Sequence, residues 1–214
     1  MNRPRWRPLT EGWLILVPLA GVTVALAAVA PFFAPMAMFA TIAIGLAFRD
    51  PERTIERRGD IALSPADGTV LRVERVFDDY WQAELVEVGI FLALADVHVQ
   101  RIPLDGHVEA QRRRAGGYWP AMLPRAAHRN NQLATYIRTV AGPCTVTQIS
   151  GLVARRIVNW TRAGDHIAQG ERLGMIKFGS QVTLRIPVAS EVLVRAGERV
   201  RGGVTPIARV TIAG

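Results

Sequence analysis

Thr69-Val70-Leu71-Arg72-Val73 is a short run in which β-branched residues recur and polar side chains interrupt apolar ones with period two, the signature of a half-buried strand. Similar runs, separated by Gly, Pro and Asp turns, are Leu85 to Leu94, Val97 to Ile102, Ala134 to Val140, Thr145 to Ile149, Gln181 to Ile186 and Glu191 to Val194. Such closely spaced strands predict a mainly β fold, a compact β-sandwich or barrel, over residues 49–214. The rhythm breaks between Arg112 and Asn131, where Gly116-Gly117, Pro120 and Pro124 precede the polar run His128-Arg129-Asn130-Asn131. A loop that long inside a compact domain is expected to be a functional loop.

A faint internal repeat lies further on, where Ala163-Gly164-Asp165-His166-Ile167-Ala168-Gln169-Gly170-Glu171 is echoed by Ala196-Gly197-Glu198-Arg199-Val200-Arg201-Gly202-Gly203-Val204. Each unit sets glycines around a short β segment, and glycine supplies the positive φ of a tight turn without steric cost. These hairpins resemble those of biotinyl and lipoyl carrier domains. The carrier lysine is missing, because Lys177, the sole lysine, lies outside both turns.

Upstream of the β region, Trp13 to Phe48 carries no charged side chain. It is nearly twice as long as the roughly 20 residues one helix needs to cross a bilayer. Pro31 and Pro35 interrupt it near the middle, where proline removes a backbone donor, so residues 1–48 are expected to form a membrane-anchoring helical hairpin. Arg3, Arg5 and Arg7 precede it and Arg49, Arg53, Arg57 and Arg58 follow it, which by the positive-inside rule sets both ends on the cytoplasmic face of the membrane. A cleaved secretory signal fits less well, since no clear small-residue cleavage site follows. The alternative is a hairpin buried in the core.

Cys144 alone makes no internal disulfide, and no Cys/His cluster has zinc-ligand spacing, so no metal is expected. The formal net charge of +8 implies attraction to polyanions, either nucleic acid or an anionic membrane surface. Tyr118 and Trp119 sit together, but no strand interleaves basic and aromatic residues as stacking platforms for nucleic acid would. The anchor favours the membrane.

Four motifs carry the chemistry: Phe48-Arg49-Asp50-Pro51-Glu52-Arg53, Ser64-Pro65-Ala66-Asp67-Gly68, Asp96-Val97-His98-Val99-Gln100-Arg101-Ile102-Pro103, and Phe178-Gly179-Ser180. Together, and in this order, they resemble the motifs of phosphatidylserine decarboxylases in their short, membrane-anchored form. The resemblance runs from about Phe48 to the C-terminus. It implies a pyruvoyl enzyme made as an inactive precursor that cuts its own chain between Gly179 and Ser180, giving residues 1–179 (β chain) and 180–214 (α chain). The serine hydroxyl attacks the preceding carbonyl, the amide becomes an ester, and removal of the α proton expels the upstream acid. The remaining dehydroalanine is hydrolysed by water with loss of ammonia and leaves a pyruvoyl group derived from Ser180. The implied reaction decarboxylates phosphatidylserine to phosphatidylethanolamine through a Schiff base, with no other cofactor.

The resemblance also assigns roles. Asp67, in a turn where aspartate commonly bonds its own backbone, orients and charge-stabilises the general base. That base is His98, which in an apolar strand would otherwise read as a packing residue. Many bacterial members carry a second histidine where this chain has Arg101, and Leu-Gly-Ser-Thr where it reads Phe178-Gly179-Ser180-Gln181. Arg101 is therefore a candidate substrate-binding residue through its planar fork, and His128 in the long loop is a second. Arg155 and Arg156 are phosphate-contact candidates outside the catalytic set. The rival readings are a membrane-tethered β domain that binds lipid or protein and keeps an intact chain, a carrier domain, and a nucleic-acid binder. Phosphatidylserine is the expected partner; a homo-oligomer is open.

Overall fold

The computed structural model describes residues 7–123, 126–152, 156–176 and 180–212. The apolar segment folds as a hairpin of two helices, α1 (Arg7–Val29) and α2 (Ala34–Ala47), joined by a 3-10 turn at Pro31–Phe33. Ala30, at φ −147° and ψ 67°, leaves the helical region just before Pro31, and Pro35 falls in the first turn of α2, where its missing N–H costs nothing. The break expected at the proline pair is thus present, while α1 starts earlier than the apolar stretch and runs on through Pro18. The Thr23 and Thr41 hydroxyls join the arms at 2.9 Å. Gly12–Val29 has a mean hydropathy of 2.2 and is long and apolar enough to cross a membrane; the second arm is shorter. Their outer side chains, among them Phe32, Met36 and Phe39, are exposed.

The rest is mainly β. In chain order the strands are β1 (Ile61–Leu63), β2 (Gly68–Asp78), β3 (Ala83–Leu92), β4 (Val99–Arg101), β5 (Gly106–Arg114), β6 (Gln132–Thr139) and β7 (Gly142–Ile149). There follow β8 (Ile157–Asn159), β9 (His166–Ile167), β10 (Arg172–Ile176), β11 (Ser180–Pro187), β12 (Glu191–Val192), β13 (Arg199–Val200) and β14 (Pro206–Arg209). Eight form one curled sheet in the order β13-β2-β3-β11-β7-β6-β5-β9, flanked by the three-stranded sheets β1-β14-β12 and β4-β10-β8. Side chains alternate faces along a strand, so Val182, Leu184 and Ile186 of β11 share one face with Val86, Val88 and Ile90 of β3. That concave face carries the apolar core.

The two repeat units fold alike. Gly164 and Gly197 have φ of 92° and 91°, Gly170 and Gly203 have φ of 80° and 72°, and each pair brackets a two-residue strand. These strands, β9 and β13, close opposite edges of the large sheet.

The long loop expected from Arg112 to Asn131 is shorter than its sequence suggested. Arg112 to Arg114 extend β5, paired with β6, and Ala126–Arg129 form a one-turn helix, α3. Between them the chain is held by Asn130, fully buried, whose Oδ1 accepts from the Trp119 N–H while Nδ2 donates to the carbonyls of Trp119 and Ser150.

Candidate active site

Ser180 opens β11 opposite Leu92 of β3 and is fully buried. Strand alternation puts its side chain on the concave face with Val182 and Leu184. Among the described residues its hydroxyl has no hydrogen-bond partner, which is costly for a buried polar atom and marks it as unlike a structural serine. Gln181 faces Ile149 of β7; continuing that register by one residue sets Ser150 across from Ser180, and the Ser150 hydroxyl is also buried and unpartnered. Gly179 and Phe178 lie outside the described residues, as does Arg155; Arg156 is exposed.

β10 leads toward this serine. Its last residue, Ile176, donates its N–H to the His98 carbonyl at 3.3 Å. Ser180 comes four residues later, within about 14 Å even for a fully extended chain. His98 is fully buried just before β4. Its Nδ1 lies 2.8 Å from the Asp96 carbonyl, which can only accept, so Nδ1 carries the proton and Nε2 keeps the lone pair a base requires. Burial lowers the pKa of the ring; the Asp96 carbonyl and the Asp96 and Asp67 carboxylates pull it up by less, and Arg49 pushes it further down. The strand behind His98 is fixed by a chain of buried amides. Gln100 donates to the His98 carbonyl at 2.7 Å, Gln148 donates to Gln100 at 2.8 Å, and Asn159 donates to Gln148 at 3.0 Å.

Asp67 sits at the turn before β2 and accepts both guanidinium nitrogens of Arg53, at 2.7 and 2.8 Å, together with the Gly202 N–H at 2.7 Å. His98 Nδ1 thus donates to the Asp96 carbonyl rather than to Asp67, and Asp67 acts on the ring through its charge. Arg101 is buried, donates to Asp50 at 2.7 Å and to the Gly170 carbonyl at 3.1 Å, and its backbone N–H bonds Pro65. Arg172 holds the other oxygen of Asp50. The first three motifs, far apart in sequence, are thereby knitted around one ion-pair cluster. His128 is elsewhere: it lies on α3 and lines a small recess with Thr147, Thr183 and Arg185. Thr183 and Arg185 alternate with Val182 and Leu184, so the sheet separates His128 from Ser180.

Sequence reasoning did not single out Asp96, Arg199, Arg201, Asn130 or Ser150. Asp96 lay inside a quoted motif and the two arginines inside the repeat, but their partners are set only by the fold: Asp96 pairs with Arg199 across 103 residues.

A model described as phosphatidylserine decarboxylase matches residues 41–208. Curated proteins named phosphatidylserine decarboxylase proenzyme are similar over most of their length. The one from Carboxydothermus hydrogenoformans is 39% identical over 203 residues, covering 94% of this chain and 95% of that one. That from Saccharopolyspora erythraea is 43% identical over 171 residues, 78% and 72% of the two chains. That from Burkholderia pseudomallei is 35% identical over 212 residues, 98% of each.

Proposed function

The chain belongs to the phosphatidylserine decarboxylase family, and from that premise we propose that it is a precursor that cuts itself between Gly179 and Ser180 and then decarboxylates phosphatidylserine to phosphatidylethanolamine. The observation that carries this reading is the Ser180 hydroxyl, buried and with no partner among the described residues, on the strand reached four residues after the chain bonds the backbone of His98. A buried hydroxyl without a structural partner suits a group kept for reaction.

In this reading His98, neutral and with its lone pair on Nε2, takes the Ser180 proton as Oγ attacks the Gly179 carbonyl carbon. Asp67 and Asp96 offset part of the cost of the imidazolium that results. The pyruvoyl group that Ser180 then becomes supplies an electrophilic carbonyl for the substrate amine and an electron sink as carbon dioxide leaves. In the same reading His98 returns a proton to the product. Arg101, proposed from sequence to bind substrate, acts through Asp50 as part of the scaffold that holds three motifs together, since its fork is engaged there. His128, across the sheet, is assigned no step. The apolar hairpin, residues 1–48, keeps the domain of residues 49–214 at the cytoplasmic face of the membrane, where its substrate is.

Intact mass and denaturing electrophoresis test the proposal. The wild type should give two chains, residues 1–179 and a small one of residues 180–214 blocked by a pyruvoyl terminus, and Ser180→Ala should remain a single chain. A single full-length wild-type chain that still decarboxylates phosphatidylserine would overturn it.

A further inference from the structure

A cleft of about 490 Å³ opens where α2 ends, lined by Arg49, Arg53, Asp67, Asp96, Arg199 and Arg201 together with short stretches of their neighbours. Its charges do not balance. Arg53 is answered by Asp67 and Arg199 by Asp96, whereas Arg49 and Arg201 have no carboxylate partner among the described residues. Among the described residues the Arg49 guanidinium bonds the carbonyls of Leu46 and Ala95, at 2.8 and 2.7 Å, and Leu46 lies in the last turn of the membrane hairpin. One side of the cleft is therefore fixed at the exit of α2. Asp96 and Val97, the residues immediately before His98, line the same cleft.

We propose that this cleft binds the phosphodiester of the lipid headgroup, with Arg49 and Arg201 as its ligands. The assignment rests on the reading of a lipid substrate given above and follows from the order of groups in such a molecule. The phosphodiester lies between the acylated glycerol, which stays with the hairpin in the membrane, and the amino acid, which must reach the chemistry near His98. A cleft with two uncompensated guanidinium groups, set between the hairpin exit and His98, occupies that same intermediate position. Guanidinium forks match phosphate oxygens in both geometry and charge.

The variant to test is Arg201→Ala, because the Arg201 side chain makes no hydrogen bond among those of the described residues and its backbone bond to Thr205 survives the change. Full-length enzyme is assayed on phosphatidylserine dispersed in non-ionic detergent micelles. Arg201→Ala should still be processed into two chains, with kcat within about twofold and KM raised about tenfold, the loss typical of one charge-assisted contact. Arg201→Lys should recover part of it. Glycerophosphoserine should compete with substrate on the wild type and compete poorly on the variant. An unchanged KM overturns the assignment. So does competition by inorganic phosphate equal to that of glycerophosphoserine, which would make the cleft a general anion site. Equal loss of co-sedimentation with phosphatidylglycerol vesicles would overturn it too, reducing Arg201 to surface attraction. If the wild type itself stays uncleaved, the processing reading fails separately. The cleft is then judged by titration calorimetry of glycerophosphoserine into the uncleaved wild type and its Arg201→Ala variant, where equal binding refutes it and weaker binding by the variant supports it.

Discussion

At His98 the loss of hydration in a fully buried ring outweighs the pull of the Asp96 carbonyl and of the Asp96 and Asp67 carboxylates, and the pKa falls below its ordinary 6.5. The unfolded chain therefore binds a proton near pH 6.5 before the folded protein does. Stability from this residue is complete above that pH and is lost as pH falls through it toward the folded value. The same shift keeps the base neutral, so the rate of precursor cleavage should hold from pH 8 down past 6.5 and reach half its plateau only below it. Mass-spectrometric time courses of freshly folded precursor at stepped pH would show this; a half-rate pH at or above 6.5 would remove His98 as the base. Ser180, His98 and Asp67 could be named as candidates from the sequence because each lies in a short motif whose residue types are tied to chemistry. Their bonding could not: the carbonyl that orients His98 comes from Asp96, and the cations that answer Asp67 and Asp96 lie 14 and 103 residues away.

Element by element, the long strands were legible and the short ones were not. β3, β6, β7 and β11 bury alternating apolar side chains on the concave face, and that alternation is written in the chain; β2 shows the period in sequence but buries only Val70 of its apolar side chains. β5 is different, because His107-Val108-Glu109-Ala110-Gln111-Arg112-Arg113-Arg114 buries only Val108 fully, and pairing with β6 and β9 rather than periodicity holds it in place. Two- and three-residue strands such as β4, β9 and β13 are too short to show a period, although the matched glycines around β9 and β13 betrayed that pair. The segment between β5 and β6 read as a loop because Gly and Pro recur in it, and it is held by backbone bonds of Gly117 to Arg129 and Asn131 together with the buried side chain of Asn130. Asn130→Ala removes three hydrogen bonds and leaves the Trp119 N–H and two carbonyls to find new partners. The expected loss is about 2 kcal/mol, or roughly 4–8 °C in Tm for a domain of this size, read by calorimetry. A shift under about 1 °C would mean that water replaces the clamp without cost.

For the molecule as a whole, the question is whether the hairpin merely tethers the β domain or holds it at a set attitude. Phe48, at the exit of α2, is buried with Val97, Val99 and Met175, and Leu16 of α1, Ile44 of α2 and Trp160 pack against them. Val97 and Val99 flank His98 directly, so the base of the hairpin is seated on the segment leading into β4 that carries the proposed base. A simple tether would have no such contact. Gly12 of α1 is part of the seat: a Cβ there would meet the Phe48 ring at 2.8 Å, closer than carbon atoms approach. Gly12→Leu should therefore unseat the hairpin while leaving its apolar surface, and hence membrane binding, intact. If attitude matters, the variant should float with lipid vesicles as the wild type does and decarboxylate monomeric short-chain phosphatidylserine at a similar rate. On vesicle-borne phosphatidylserine it should be slower by about tenfold, the cost of misaligning a site with its substrate. Equal slowing on both substrates would instead locate the effect in the strand beneath Phe48, and no slowing on either would leave the hairpin a tether alone.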